Sequence, residues 1–177
     1  YVKEIGTALH DIARKHVKHR IKMTKAAKRE VMLSLVEDYH IPEIAIERGI
    51  DFDGVFENVV VYVNDSINHR MMPEQILYYS DLCFGTADAI RYNPVTHELR
   101  IHDLKTGKMP ASLDQLIEYA AYFFLEYHIK PGDVNTTLCI YQNGEVLTGL
   151  PKASDIVPII DRAVTLVKWY RANYEEE

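Results

Sequence analysis

The chain has 177 residues, of which 47% are hydrophobic and 26% charged, with a formal net charge of −6. Length and balance describe one globular domain with a real core and exclude a disordered or low-complexity chain. No run approaches the roughly 20 apolar residues of a membrane span and no signal peptide is visible, so no membrane partner and a cytoplasmic location are expected; the chain begins at Tyr1, which leaves an organelle open.

Residues 4 to about 20 carry Ile5, Leu9, Ile12, Ala13 and Val17 at helical spacing, which predicts a helix with His10 bordering its apolar stripe. Thr24 is the expected cap of a second helix reaching about Asp38, with Val31, Leu33, Leu35 and Val36 inward. Pro42 suits the first turn of a short helix ending before Gly49. Asp51 or Asp53 would cap a further helix to about His69; its length outweighs the β-branched content of its middle. Residues from about 21 to 72 therefore read as a helical insertion ahead of the sheet. Gln75 to Leu82 reads as the first strand.

Two further strands follow, Gly85-Thr-Ala-Asp88-Ala-Ile-Arg-Tyr and Leu99-Arg-Ile-His-Asp103-Leu-Lys105-Thr-Gly107, with Asn93 to His97 reversing the chain between them. An antiparallel hairpin of this kind can make Asp88 and Asp103 neighbours, and Lys105 shares a face with Asp103. Two converging carboxylates repel, which pushes one toward protonation. A divalent cation removes that conflict, and hard oxygen donors suit Mg²⁺ or Mn²⁺. A lysine beside them can orient or deprotonate a water aimed at a phosphate, so the constellation points to metal-assisted phosphodiester hydrolysis.

Leu113 to about Glu126 reads as a helix capped by Ser112. Leu116, Ala120, Phe123 and Phe124 face the core, and Gln115 and Tyr119, four apart, share one face. Val134 to Tyr141 is a β-branched strand, Asn143-Gly144 a hairpin turn, and Glu145 to Leu150 the returning strand. Asp155 to Asn173 closes the chain as an amphipathic helix, with Pro158 in its first turn, Ile156, Ile159, Ile160, Val164 and Val167 inward, and Trp169 as a packing aromatic. Cys83 and Cys139 lie in apolar strand-like runs and read as reduced core thiols.

In these motifs the chain resembles the PD-(D/E)XK nuclease superfamily, in its RecB-like exonuclease branch. The carriers are Gly6 to His10 (G-x-x-x-H), Gly85 to Asp88 (G-x-x-D), Asp103-Leu-Lys105-Thr106 (D-x-K-T) and Gln115 to Tyr119 (Q-x-x-x-Y), in the right order from about residue 5 to 127. The resemblance implies an α/β, restriction-endonuclease-like core, a mixed β-sheet flanked by helices in the order αβββαβ. It implies a DNA nuclease, more an exonuclease than an endonuclease, of phage or bacterial recombination, repair or DNA processing. DNA is the expected partner, with recombination or replication proteins beside it.

By the same resemblance, Asp88, Asp103, His10 and the backbone carbonyl of Leu104 would hold one or two Mg²⁺ or Mn²⁺ ions. Lys105 would activate the attacking water, and Gln115 and Tyr119 would steady the phosphate or the lysine. Glu74 is the nearest match to a glutamate that relatives carry on the preceding strand. Some relatives bind an iron–sulfur cluster on four cysteines; two cannot do so, and no cluster is expected. The alternative is a nuclease-fold module that binds DNA or protein without cutting.

The net charge argues against nucleic acid only if read globally. Residues 14–29 hold eight Lys/Arg among sixteen residues, two histidines and no acid. Next to the His10 turn, Arg14, Lys18, Lys22 and Lys25 are expected to follow a DNA backbone, with Lys108 as a further contact.

Overall fold

The computed structural model describes residues 1–175. Six helices and five strands follow in the order α1 (Val2–His19), α2 (Lys28–Glu37), α3 (Glu43–Gly49), α4 (Phe52–Asn68), β1 (Met72–Ser80), β2 (Cys83–Asn93), β3 (Glu98–Leu104), α5 (Asp114–Tyr127), β4 (Asn135–Gln142), β5 (Glu145–Gly149) and α6 (Ala153–Tyr174). The strands form one sheet in sequence order, β1-β2-β3-β4-β5. All neighbours are antiparallel except β3 and β4, which are parallel. A parallel pair cannot be closed by a hairpin, and α5 supplies the crossover. The protein is thus an α/β fold with a mixed five-stranded sheet between helical layers.

The helices bury the stripes that their spacing predicts. Ile5, Leu9, Ile12, Ala13 and Val17 of α1 lie in one cluster with α2, α3, α4 and the residues Ala89, Leu104, Cys139 and Tyr141 of the sheet. A second cluster packs Leu116, Ala120, Phe123 and Phe124 of α5, with Ile156 of α6, against Leu77, Leu99, Ile101 and Ile140. The 52–68 segment is helical, and Asp51 caps it by accepting from the Gly54 amide at 3.2 Å. Asn143 and Gly144 both take positive φ, 52° and 75°, as a tight two-residue hairpin turn requires.

Several local expectations are corrected. Thr24 precedes a 3₁₀ turn, Lys25–Ala27, and gives no side-chain cap to α2, which begins only at Lys28. Leu33 is exposed, while Val31 and Leu35 are buried, because Leu33 falls on the outer face of the helix. β1 starts three residues earlier than expected and includes Glu74. Ser112 sits one residue before the cap position of α5, where its hydroxyl still accepts from the Asp114 amide. Trp169 is half exposed and packs edge-on against Tyr174, not into the core. Cys83 and Cys139 are buried free thiols.

Candidate active site

β2 and β3 bring the two aspartates together. Ala89 pairs with His102, and one step further the same register sets Asp88 opposite Asp103. The ladder stops at this point. The Asp88 Oδ2 accepts from the Leu104 amide at 2.8 Å, taking the place of a main-chain partner where the strands separate. Asp88 is half-buried, whereas Asp103 is only 5% exposed. Burial and the Asp88 charge raise the Asp103 pKa to about 6, against the opposing pull of Lys105 and His10.

Lys105 follows the last residue of β3, its amide donating to the Tyr141 carbonyl at 3.0 Å in continuation of the β3–β4 ladder. Its Nζ donates to Asp103 Oδ1 at 3.3 Å and stands 3.1 Å from Oδ2 without hydrogen-bond geometry. Asp103 Oδ2 is therefore buried with a cation beside it but no hydrogen-bond partner. The same Nζ donates to Gln115 Oε1 at 3.2 Å, and Gln115 Nε2 donates to the Tyr119 hydroxyl at 2.9 Å. Asp103, Lys105, Gln115 and Tyr119 thus form one continuous chain from the sheet to α5. Burial, with Asp103 and Asp88 adding to it, raises the Tyr119 pKa, so the phenol stays protonated.

The two motif glycines are explained by close approach. A Cβ on Gly85 would meet Tyr119 Cε1 at 2.4 Å, and one on Gly6 would meet Thr106 Oγ1 at 2.8 Å. Gly85 lets the α5 tyrosine lie on β2, and Gly6 lets α1 pack onto the loop after β3. One turn along α1 from Gly6, His10 Nδ1 reaches to 3.6 Å from Asp88 Oδ2, beyond hydrogen-bond length.

Glu74 lies between the pairs Pro73–Ala89 and Gln75–Ala87, hence opposite Asp88, with a φ of 47°. For a non-glycine residue such a conformation is strained. Its carboxylate stands 3.4 Å from Arg14 Nε. Arg14 also bonds Asp11, which accepts in addition from Lys15 and the Tyr39 hydroxyl. Burial alone would raise the Asp11 pKa; these bonds outweigh it and hold the carboxylate well below its ordinary value.

Of the other basic residues, Lys25 pairs with Glu57 at 2.7 Å, and Lys18 and Lys22 are exposed. Lys108 and Lys105 border a groove of about 720 Å³ that also touches Val2, Ile50, Val55 and Asn143. The insertion helices α3 and α4 thus form one wall beside the lysine.

Two features escaped sequence reasoning. Asp11, adjacent to His10, anchors Arg14, and its position three residues before that arginine was the available signal. Tyr62 of α4 is buried, and burial with the charges of Asp88 and Asp103 drives its pKa well above the ordinary phenol value. Nothing in the periodicity of α4 distinguishes it from a core aromatic.

Among the described residues, no three His, Cys, Asp or Glu side chains are grouped closely enough to hold a metal ion between them. The orphaned Asp103 oxygen beside the Asp88 carboxylate supplies two hard donors, which suit a divalent ion that draws its remaining ligands from backbone, water or phosphate. Fold and site together define an α/β protein with a paired-carboxylate and lysine centre at the C-terminal end of the central strand of a mixed sheet. No family model, no curated protein and no solved structure matches the chain. No helix among the described residues is long and apolar enough to cross a membrane.

Proposed function

We propose that the protein is a Mg²⁺- or Mn²⁺-dependent DNA nuclease with a restriction-endonuclease-like core, similar to the RecB-like exonucleases of the PD-(D/E)XK superfamily. The observation that carries this reading is the chain Asp103–Lys105–Gln115–Tyr119, with Asp88 opposite Asp103. A buried carboxylate with one oxygen unpartnered, set beside a second carboxylate, is costly to a fold that has no use for it. Among the described residues only one ammonium stands within 4 Å of Asp103.

Asp88, Asp103, His10 and the Leu104 carbonyl would hold the metal. When bound, it would polarise the phosphate and stabilise charge growing on its oxygens. Asp103 and Gln115 hold the Lys105 ammonium in place from two sides. So held, the Lys105 ammonium would orient an attacking water by donating a hydrogen bond to it. Tyr119, neutral and anchored by Gln115, is a hydrogen-bond donor available to a phosphate oxygen. Arg14, Lys18, Lys22, Lys25 and Lys108 would contact the DNA backbone, and the groove beside Lys105 offers a path for it.

The test is digestion of linear and closed circular DNA with Mg²⁺, Mn²⁺ or EDTA, using the natural chain and Lys105→Ala in parallel. Metal-dependent loss of linear DNA alone, absent in the variant, is the expected result for an exonuclease. Nicking of circles would make it an endonuclease by the same chemistry. The absence, among the described residues, of a three-ligand side-chain cluster favours one rival, a nuclease-fold module that binds DNA or a partner without cutting. DNA binding without cleavage under every condition would establish that rival.

A further inference from the structure

The hairpin that carries the aspartates also carries an unusual pair of like charges. Arg91 of β2 and Arg100 of β3 are partners in register, so their side chains leave the same face of the sheet within a few ångströms of each other. Like charges directly opposite destabilise a sheet. The chain has 26 acidic residues against 20 Lys and Arg. Even so, no carboxylate among the described residues comes within salt-bridge distance of either guanidinium.

Each arginine is held by neutral groups only. Arg91 donates to the His69 carbonyl at 3.0 Å, at the end of α4. Arg100 Nε donates to His102 Nε2 at 2.9 Å, and another of its nitrogens reaches Cys139 Sγ. Accepting at Nε2 fixes the His102 proton on Nδ1, beside the hydroxyls of Tyr141 and Ser66. Tyr141 in turn donates to Asp65 at 3.0 Å. Arg100 is thus pre-positioned by a buried relay that ends on Asp65, three groups away.

A pocket of about 140 Å³ opens between these groups, lined by His69, Arg91, Arg100, Asn93, Glu98 and Thr137 among others. Glu98 is drawn toward the hairpin turn, where its carboxylate accepts from the Thr96 hydroxyl at 2.6 Å. Burial first, and then the charges of Arg100 and Arg91 against Asp65 and Glu98, lower the His69 pKa, which favours the neutral imidazole. The pocket has the size of one tetrahedral anion. By strand alternation it lies on the opposite face of β3 from Asp103.

We propose that Arg91, Arg100 and His69 form a second site, which binds a phosphate-type oxyanion. Forked guanidiniums on two strands would hold its oxygens, and the neutral imidazole and Asn93 offer further donors. The anion neutralises the cross-strand repulsion, so its binding stabilises the hairpin that carries Asp88 and Asp103. This inference does not depend on cleavage at Lys105.

The experiment titrates inorganic phosphate into the EDTA-treated protein, followed by amide NMR and by thermal unfolding. The expected result is shifts at His69, Arg91 and Arg100 and a rise in Tm, both retained in Lys105→Ala. Arg91→Gln should weaken binding about tenfold or more, and Arg91→Lys less. Competition by a 5′-phosphorylated tetranucleotide, but not by the unphosphorylated one, would identify a nucleic-acid end as the source. Competition by neither leaves free phosphate as the ligand. Shifts confined to Lys105, or equal binding by a folded Arg91→Gln protein, would overturn the proposal.

Discussion

Tyr119 lies against Gly85 so closely that a single added methyl group would sit 2.4 Å from the tyrosine ring. The glycine of one motif is therefore the seat of the tyrosine of another, and the hydroxyl so placed accepts from Gln115. Gly85→Ala should displace the ring, cost about 1–3 kcal/mol of stability, and sharply lower nuclease activity. Gly85→Ala/Tyr119→Ala should regain most of the stability and none of the activity. Denaturant unfolding with parallel digestion assays checks both; a Gly85→Ala protein as active as the natural one would remove Tyr119 from the mechanism.

Lys105 is held by Asp103 and Gln115. Lys105→Ala should lower cleavage by about 10²- to 10⁴-fold, the usual range for a positioned acid–base side chain, with little change in DNA affinity. Gln115→Ala should give a smaller loss, because Asp103 still holds the ammonium. Single-turnover cleavage combined with a binding isotherm separates the two effects.

The raised pKa of Asp103 makes a statement about stability. A carboxyl that titrates near 4 when unfolded and at about 6 when folded holds a proton in the native state that the unfolded chain releases. Metal-free stability should therefore fall as pH rises from about 4 to about 6 and stay lower above that. Asp103→Asn should abolish that slope and stabilise the metal-free protein at pH 7.5 by about 1–3 kcal/mol, while eliminating activity. Urea unfolding at stepped pH in EDTA measures it. Asp11 acts in the opposite sense: its lowered pKa contributes stability that is present above the unfolded value and lost as pH falls below it.

Added Mn²⁺ or Mg²⁺ should reverse the Asp103 penalty. At metal concentrations 100-fold above the dissociation constant the gain is about 2.7 kcal/mol. Asp88→Asn and Asp103→Asn should each lose most of that gain, and His10→Ala a smaller part. Thermal scans across metal concentration test this; an equal rise in the Asp103→Asn protein would place the metal elsewhere.

Most of this architecture is local in origin. The apolar stripes of α1 and α5, an aspartate cap at residue 51 or 53, the Asn143-Gly144 turn and the alternation of β2 and β3 are set by periods of 3.6 and 2, by capping side chains and by residues suited to positive φ. These are properties of neighbours along the chain, so they were readable without coordinates. The pairing of Asp88 with Asp103 was also accessible, because a hairpin determines its own register. Burial and long-range approach were not. That Leu33 faces outward, that Tyr119 rests on Gly85, that Glu74 is strained opposite Asp88 and held by Arg14, and that Arg91 meets Arg100 beside the end of α4 all depend on which elements pack together. Residue types alone named the carboxylates and the lysine; only the packing of α5 and α4 onto the sheet gave them their partners and buried Asp103 deeply enough to raise its proton affinity.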